Sequence, residues 1–375
     1  MKSLVGKAGE VKEIFCGIDL HWRSMLAAIS LGKGEVEFRS YNTMAEEGVA
    51  KLVKDLQGLQ ARHPGSAVWA AYEASGCGFG LVDRLREAGF RAEVLAPSHL
   101  PVSQKSRSEK TDKKDALRVL DVVRGSVLAG SLLPKCWVPP LAVRQDRELV
   151  RRRLQLGESV TKVKNRIHGF LKRWGIRRPE GLKSLWTQKY VRWLVELGKG
   201  LDWRCGVELE SLVRELGFYQ EEIALLDQEL ARLSEDARYD EKGKAMMKLK
   251  GVGLLTAMVF LTELGDVDRF GNRRALANYL GLTPRSHESG EQDDRKGHIS
   301  RLGPARVRKV LNQAAWCLVR CNRYWHEWYH SRTDGHPGEK KRKITAVMRR
   351  LAILLWHRAK DAGVMKRALG AELAN

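Results

Sequence analysis

The stretch VKEIFCGID, residues Val11 to Asp19, is an apolar run that ends on an acid. Its length and β-branched content predict a buried strand, and its last residue stands where the strand leaves the sheet. Ser24 to Ser30 (SMLAAIS) and Glu35 to Ser40 (EVEFRS) follow at hairpin spacing, with Gly32 and Gly34 in the turn between them. Ala45 to Leu59 predicts a helix. Ala67 to Tyr72 (AVWAAY) predicts another strand, and Glu73 follows it directly. A helix from about Phe79 to Ala88, closed by Gly89, leads to a short strand at Ala92 to Leu95.

Three meandering strands followed by alternating helix and strand describe an RNase H-like mixed sheet, in an order that many other α/β folds share. Four acids are spaced along it where chemistry would use them. Asp19 and Glu73 close strands, so their carboxylates stand at an edge open to substrate. Asp112 and Asp115 lie in Lys110-Thr111-Asp112-Lys113-Lys114-Asp115-Ala116, with Thr111 as the N-cap of a helix. A spacing of three puts both carboxylates on one helix face. Hard oxygen ligands grouped in this way suit magnesium or manganese, not zinc. Two such ions about 4 Å apart activate an attacking oxygen and stabilise the leaving one. Lys105, Arg107, Lys110, Lys113 and Lys114 surround the helix start and would meet phosphates. Asp112 alone is also explained as a favourable helix-start charge. A carboxylate closing an apolar strand, as Asp19 does, is costly if buried unpaired.

Two long helices come next. In the first, Leu149, Leu156, Val160, Val163, Ile167, Phe170 and Trp174 mark one stripe. In the second, Leu209, Leu212, Leu216, Tyr219, Ile223, Leu226, Leu230 and Leu233 alternate three and four apart. This is a coiled-coil seam that pairs either the two helices or two protomers. Arg147, Arg151, Lys162 and Lys172 point away from it, either as solvated charge or as phosphate contacts. The insert between the helices carries Trp186, Tyr190, Trp193 and Trp203, which read as core residues or as base-stacking platforms. Gly251-Val252-Gly253 opens an apolar helix, Leu254 to Leu264. Two close glycines before a helix are the helix–hairpin–helix signature, and equally a plain tight turn. A helix after Pro304 carries Val307, Val310, Leu311, Ala314 and Leu318 on its core face. A last basic amphipathic helix spans about Lys343 to Arg358.

The charge points to a polyanion. Lys and Arg number 67 against 45 Asp and Glu, a net +22 over 375 residues. Residues 1–100 hold 12 basic and 12 acidic side chains, so the whole excess lies beyond them. A basic body joined to a neutral domain suits nucleic acid gripped by one part and worked on by another. With 43% hydrophobic residues, disorder is excluded as a global description. No apolar run reaches the length of a membrane span, and the start lacks a signal-peptide stretch. The six cysteines form no CxxC pair, which fits reduced thiols in a cytoplasm.

Gly17-Ile18-Asp19, Tyr72-Glu73-Ala74-Ser75-Gly76 and Lys110 to Ala116 resemble the DEDD transposases of the IS110 and IS1111 insertion sequences. Gly251-Val252-Gly253, Phe270, Tyr279-Leu280-Gly281-Leu282-Thr283-Pro284, Glu288-Ser289-Gly290 and the basic stretch Lys296 to Lys309 resemble that family's second transposase domain, in order. The resemblance implies a RuvC-like nuclease domain at residues 1–130, a coiled coil with its insert at 141–235, and a mainly α C-terminal transposase domain at 244–375. It implies magnesium or manganese on Asp19, Glu73, Asp112 and Asp115, and a catalytic serine at Ser289. It also implies a structured guide RNA made by the element and DNA as substrate, in a bacterial or archaeal cytoplasm near the nucleoid; the seam from Leu209 to Leu233 supports a homo-oligomer, dimer or tetramer, unless it has an intramolecular partner. Family members often place a small residue and further glycines after the Ser-Gly pair. Glu291, Gln292, Asp293 and Asp294 stand there in this chain. Without the resemblance, a serine before glycine in a polar loop reads as a turn residue. Its activation needs a base or a metal, and His287 and His298 are the nearby imidazoles.

Two rival readings use the same residues. A RuvC-like junction nuclease would hydrolyse DNA with the acids and have no need of Ser289. A nucleic-acid-binding scaffold would keep the charge and leave the acids idle.

Overall fold

β1 (Glu13–Leu20) is the middle strand of a five-stranded sheet, and this explains its unbroken apolar run. It pairs antiparallel with β2 (Ser24–Leu31), which pairs antiparallel with β3 (Val36–Asn42). After α1 (Glu46–Arg62), β4 (Ala67–Glu73) returns parallel to β1 on its other side. α2 (Gly80–Glu87) then leads to β5 (Arg91–Leu95), parallel to β4, giving the order β3-β2-β1-β4-β5. A strand buried on both faces needs apolar side chains at successive positions. Ile14, Cys16 and Ile18 accordingly pack under Leu52, Leu56 and Leu59 of α1 and Leu81, Val82 and Leu85 of α2. Phe15 faces the opposite way, toward Ala116, Val119, Leu120 and Val123 of α3 (Asp112–Ala129). In this computed structural model, the described residues are 11–44, 46–100, 111–182, 184–289, 292–331 and 337–372. They separate into two compact units, Met1–Val138 and Pro139–Asn375.

The second unit is almost wholly helical. α4 (Leu141–Arg173) and α6 (Trp203–Ser234) lie side by side, joined through α5 (Gln188–Gly200). Val163, Ile167 and Phe170 of α4 share a buried cluster with Leu209, Val213 and Leu216 of α6. Arg153–Asp227, Arg166–Glu215 and Arg173–Glu208 tie the two helices along their length. The partners advance along α4 as they retreat along α6, so the pair is antiparallel. The seam of α6 therefore has a partner within the chain and does not by itself call for a second copy.

The remaining elements are α7 (Asp240–Met247), α8 (Leu254–Leu264), α9 (Arg273–Tyr279), β6 (Pro284–Ser289), β7 (Gln292–Ile299), α10 (Ala305–Cys321), α11 (Arg323–His330) and α12 (Pro337–Glu372). α8 is buried almost throughout, so its sequence is apolar all round. It shares one core with α10 and α12, and Val150 and Leu154 of α4 and Leu230 of α6 run into that core. Two basic residues expected to point outward from α4 are used here. The Arg147 guanidinium donates to the Thr262 and Glu263 carbonyls at the end of α8. Arg151 forks onto the Glu263 carboxylate at 2.8 and 3.0 Å. Lys162 and Lys172 do lie exposed. The aromatic insert is mostly core. Tyr190 is buried in α5, Trp186 packs edge-on against it from just before the helix, and only Trp203 stands fully out in solvent. Gly251, with φ +90°, seats its turn on Ala314 and Cys317 of α10, a close approach that accounts for that glycine.

Candidate active site

β1 and β4 run parallel, with Ile18 opposite Tyr72, so Asp19 and Glu73 leave the sheet at the same edge. Strand alternation puts Phe15, Gly17 and Asp19 on the face that α3 covers. Gly17 decides how near that helix comes. A Cβ there would fall on the backbone of Ala116 and Leu120, so only glycine lets α3 lie directly on β1. Thr111 caps α3, accepting from the Lys114 N–H, and starts the helix at Asp112. The first turn of α3, with Asp112 and Asp115, thereby reaches the strand ends that carry Asp19 and Glu73.

Two further side chains knit the acids together. His21 lies just past β1, and its Nε2 is 3.1 Å from Asp19 Oδ2 and 3.8 Å from Asp112 Oδ1. Arg118, one turn along α3, bridges Glu73 at 3.1 Å and Asp115 at 3.0 Å. The four candidate acids thus form two linked pairs at one end of the sheet. Burial pushes the Asp19 carboxyl above its usual range; His21 pulls it back, and the negative charges of Asp112 and Asp115 push it further up. Asp19, His21 and Asp112 offer donor atoms that all lie within 4.8 Å of one another. Two carboxylates and an imidazole this close together, with one carboxylate partly buried, could hold a divalent cation. Lys113 and Lys114 are exposed at the start of α3, whereas Lys105, Arg107 and Lys110 lie outside the described residues.

Ser289 belongs to the second unit, as the last residue of β6, paired with Gln292 of β7. Gly290 and Glu291 lie outside the described residues, as do the side chains of Ser289, His287, Gln292, Asp293 and Asp294; His298 is exposed on β7. The base of this hairpin is fixed by two glycines and one arginine. Gly281 (φ +65°) and Gly303 (φ +84°) let the chain entering β6 cross the chain leaving β7, where a Cβ on either would strike backbone. From α10, Arg308 Nη1 donates to the Leu280, Leu302 and Gly303 carbonyls, and its Nη2 donates to Arg301.

A transposase family model of the IS110 DEDD type matches residues 16–175, a span that contains all four acids. A second model, described as the transposase IS116/IS110/IS902 family, matches residues 243–330 and spans Ser289. The chain belongs to the IS110/IS116 transposase family. Three relatives named as transposases are similar to it. The y4qE protein of Sinorhizobium fredii, named as a transposase, is 28% identical over 84% of this chain and 77% of its own. The transposase of IS1111A from Coxiella burnetii is 29% identical over 62% of this chain and 60% of its own. That of IS1533 from Leptospira borgpetersenii is 24% identical over 81% and 85%. No helix among the described residues is long and apolar enough to cross a membrane.

His21 and Arg118 are the site residues that sequence reading passed over. Both carried a signal. His21 stands two residues after a strand-end acid, and Arg118 three after Asp115 on the same helix face.

Proposed function

We propose that this transposase cuts and rejoins DNA strands at the ends of an insertion sequence, in an RNase H-like N-terminal domain, with Ser289 as the nucleophile and a guide RNA encoded by the element. The observation that carries the reading is the convergence of Asp19, Glu73, Asp112 and Asp115 from β1, β4 and α3 on one sheet edge. The strand order supports it, since three antiparallel strands followed by two parallel ones is the pattern an RNase H-like sheet requires.

The four carboxylates would hold magnesium or manganese, with Asp19 as the least solvent-exposed but one of the acids. Such a cation, when bound, neutralises charge on the scissile phosphate and makes an oxygen a better nucleophile. Arg118 keeps Glu73 and Asp115 in register and restrains their mutual repulsion. Lys113 and Lys114 lie at the mouth of the site and meet the strand being cut. Ser289 Oγ forms a bond to phosphorus while the bond to the departing sugar oxygen breaks, and the serine proton ends on that oxygen. The phosphoserine ester conserves the bond for rejoining, which direct hydrolysis does not. The exposed lysines of α4, with the net charge of +22, hold the nucleic acid.

End-labelled element DNA, run on denaturing gels after reaction, tests the reading. A protein–DNA adduct is expected with the wild-type protein and none with Ser289→Ala. Recombination by Ser289→Ala at the wild-type rate would leave hydrolysis by the acids alone. Sequencing of RNA that survives a high-salt wash is expected to recover one defined species encoded beside the gene.

A further inference from the structure

The geometry points to His21 as a nitrogen ligand of the divalent cation at this site, giving the chain a mixed nitrogen–oxygen site that favours manganese over magnesium. This rests on the acids of the proposed function holding a cation at all. Cis ligands of an octahedral ion with bonds of about 2.1 Å stand about 3.0 Å apart, and trans ligands about 4.2 Å. The His21 Nε2 to Asp19 Oδ2 separation of 3.1 Å equals a cis edge. The 3.8 Å to Asp112 Oδ1 falls between cis and trans, and Asp112 is exposed enough to adjust. The three donors come from different backbone segments: the end of β1, the loop that follows it, and the first turn of α3.

The loop does not hold His21 there by chance packing. The His21 N–H donates to the Ser24 carbonyl at 2.9 Å, closing a tight turn between β1 and β2. Thr43 anchors that turn from β3's end, donating its hydroxyl toward the His21 and Trp22 carbonyls. The imidazole is half exposed and packs into no core, so a ring held between two carboxylates is free to bind an ion. Magnesium takes oxygen ligands and gives up water reluctantly, whereas imidazole nitrogen suits the first-row transition ions. A histidine in the first coordination sphere therefore raises manganese and cobalt affinity while leaving magnesium affinity nearly unchanged.

The test loads the full-length chain with manganese chloride alone and reads pulsed EPR for nitrogen coupling to the bound ion. Competition against magnesium gives the affinity ratio. Imidazole nitrogen coupling is expected in the wild type and its loss in His21→Ala, with the manganese-to-magnesium ratio falling at least about tenfold. His21 is on the surface, and an unchanged thermal melt certifies that the variant is folded. Asp19→Asn separates the two layers of the argument. If Asp19→Asn loses manganese while His21→Ala keeps both the nitrogen signal and the ratio, the histidine assignment falls and the acidic site stands. If Asp19→Asn binds manganese as the wild type does, both fall.

Discussion

Gly17→Ala adds a single methyl group between β1 and α3, and it should cost far more activity than stability. The new Cβ would lie 2.7 Å from the Leu120 Cα and nearer still to the Ala116 carbonyl. Carbon atoms in contact sit at about 3.5–4.0 Å, so α3 must retreat by about 1 Å at this point. Overfilling a packed interface in this way costs about 1–3 kcal/mol, a loss that leaves an ordinary domain folded. The same retreat carries Asp112 and Asp115 away from Asp19 and Glu73, which do not move with the helix. A misplacement of about 1 Å in a catalytic constellation costs about 100-fold in rate. Urea melts and strand-cleavage rates, measured on one preparation, should show a modest shift in the first and about a 100-fold fall in the second. Gly58→Ala is the control. Gly58 lies in α1 with open space around its Cα, and the change should stabilise by about 0.5–1 kcal/mol without touching the rate. A Gly17→Ala rate within threefold of wild type would refute the idea that the seat of α3 on β1 sets the site.

Three further outcomes follow from the second unit. Glu263→Gln leaves Arg151 with only the exposed Glu148 carboxylate at 3.5 Å and should destabilise by up to about 3 kcal/mol, read by thermal melting. Leu230→Asp puts a carboxylate into the core shared by α6 and α8 and should cost more than about 3 kcal/mol, read by thermal melting. Arg308→Ala strips a charged donor from four carbonyls at the base of the β6–β7 hairpin. Proteolysis within residues 284–299 should quicken, and adduct yield should fall more than nucleic-acid binding does.

Much of the first unit was legible because burial on two faces writes a plain signal. The apolar run from Ile14 to Ile18 reads as a buried strand, and the acid that ends it stands where the strand leaves the sheet. Thr111 announced the start of α3 through its capping chemistry. What could not be read was distance between elements: that Gly17 is the contact point for α3 depends on which helix crosses which strand. The α4 stripe misled in a definite way. Seam logic assigned Arg147 and Arg151 to an outward face, since one apolar stripe was matched to one partner. α4 has a second partner in α8, which approaches from that side and takes both guanidinium groups. Trp186 lies just before α5, which begins at Gln188, and holds a φ of +62°.

The central claim is that four carboxylates from β1, β4 and α3 cut DNA together with a divalent cation. Asp115→Ala tests it most directly, because this is the least exposed of the four and is bonded to Arg118. Cleavage of element-end DNA in magnesium or manganese should vanish, while gel shifts at the same salt stay within about threefold of wild type. Cleavage at the wild-type rate by folded Asp115→Ala would contradict the account.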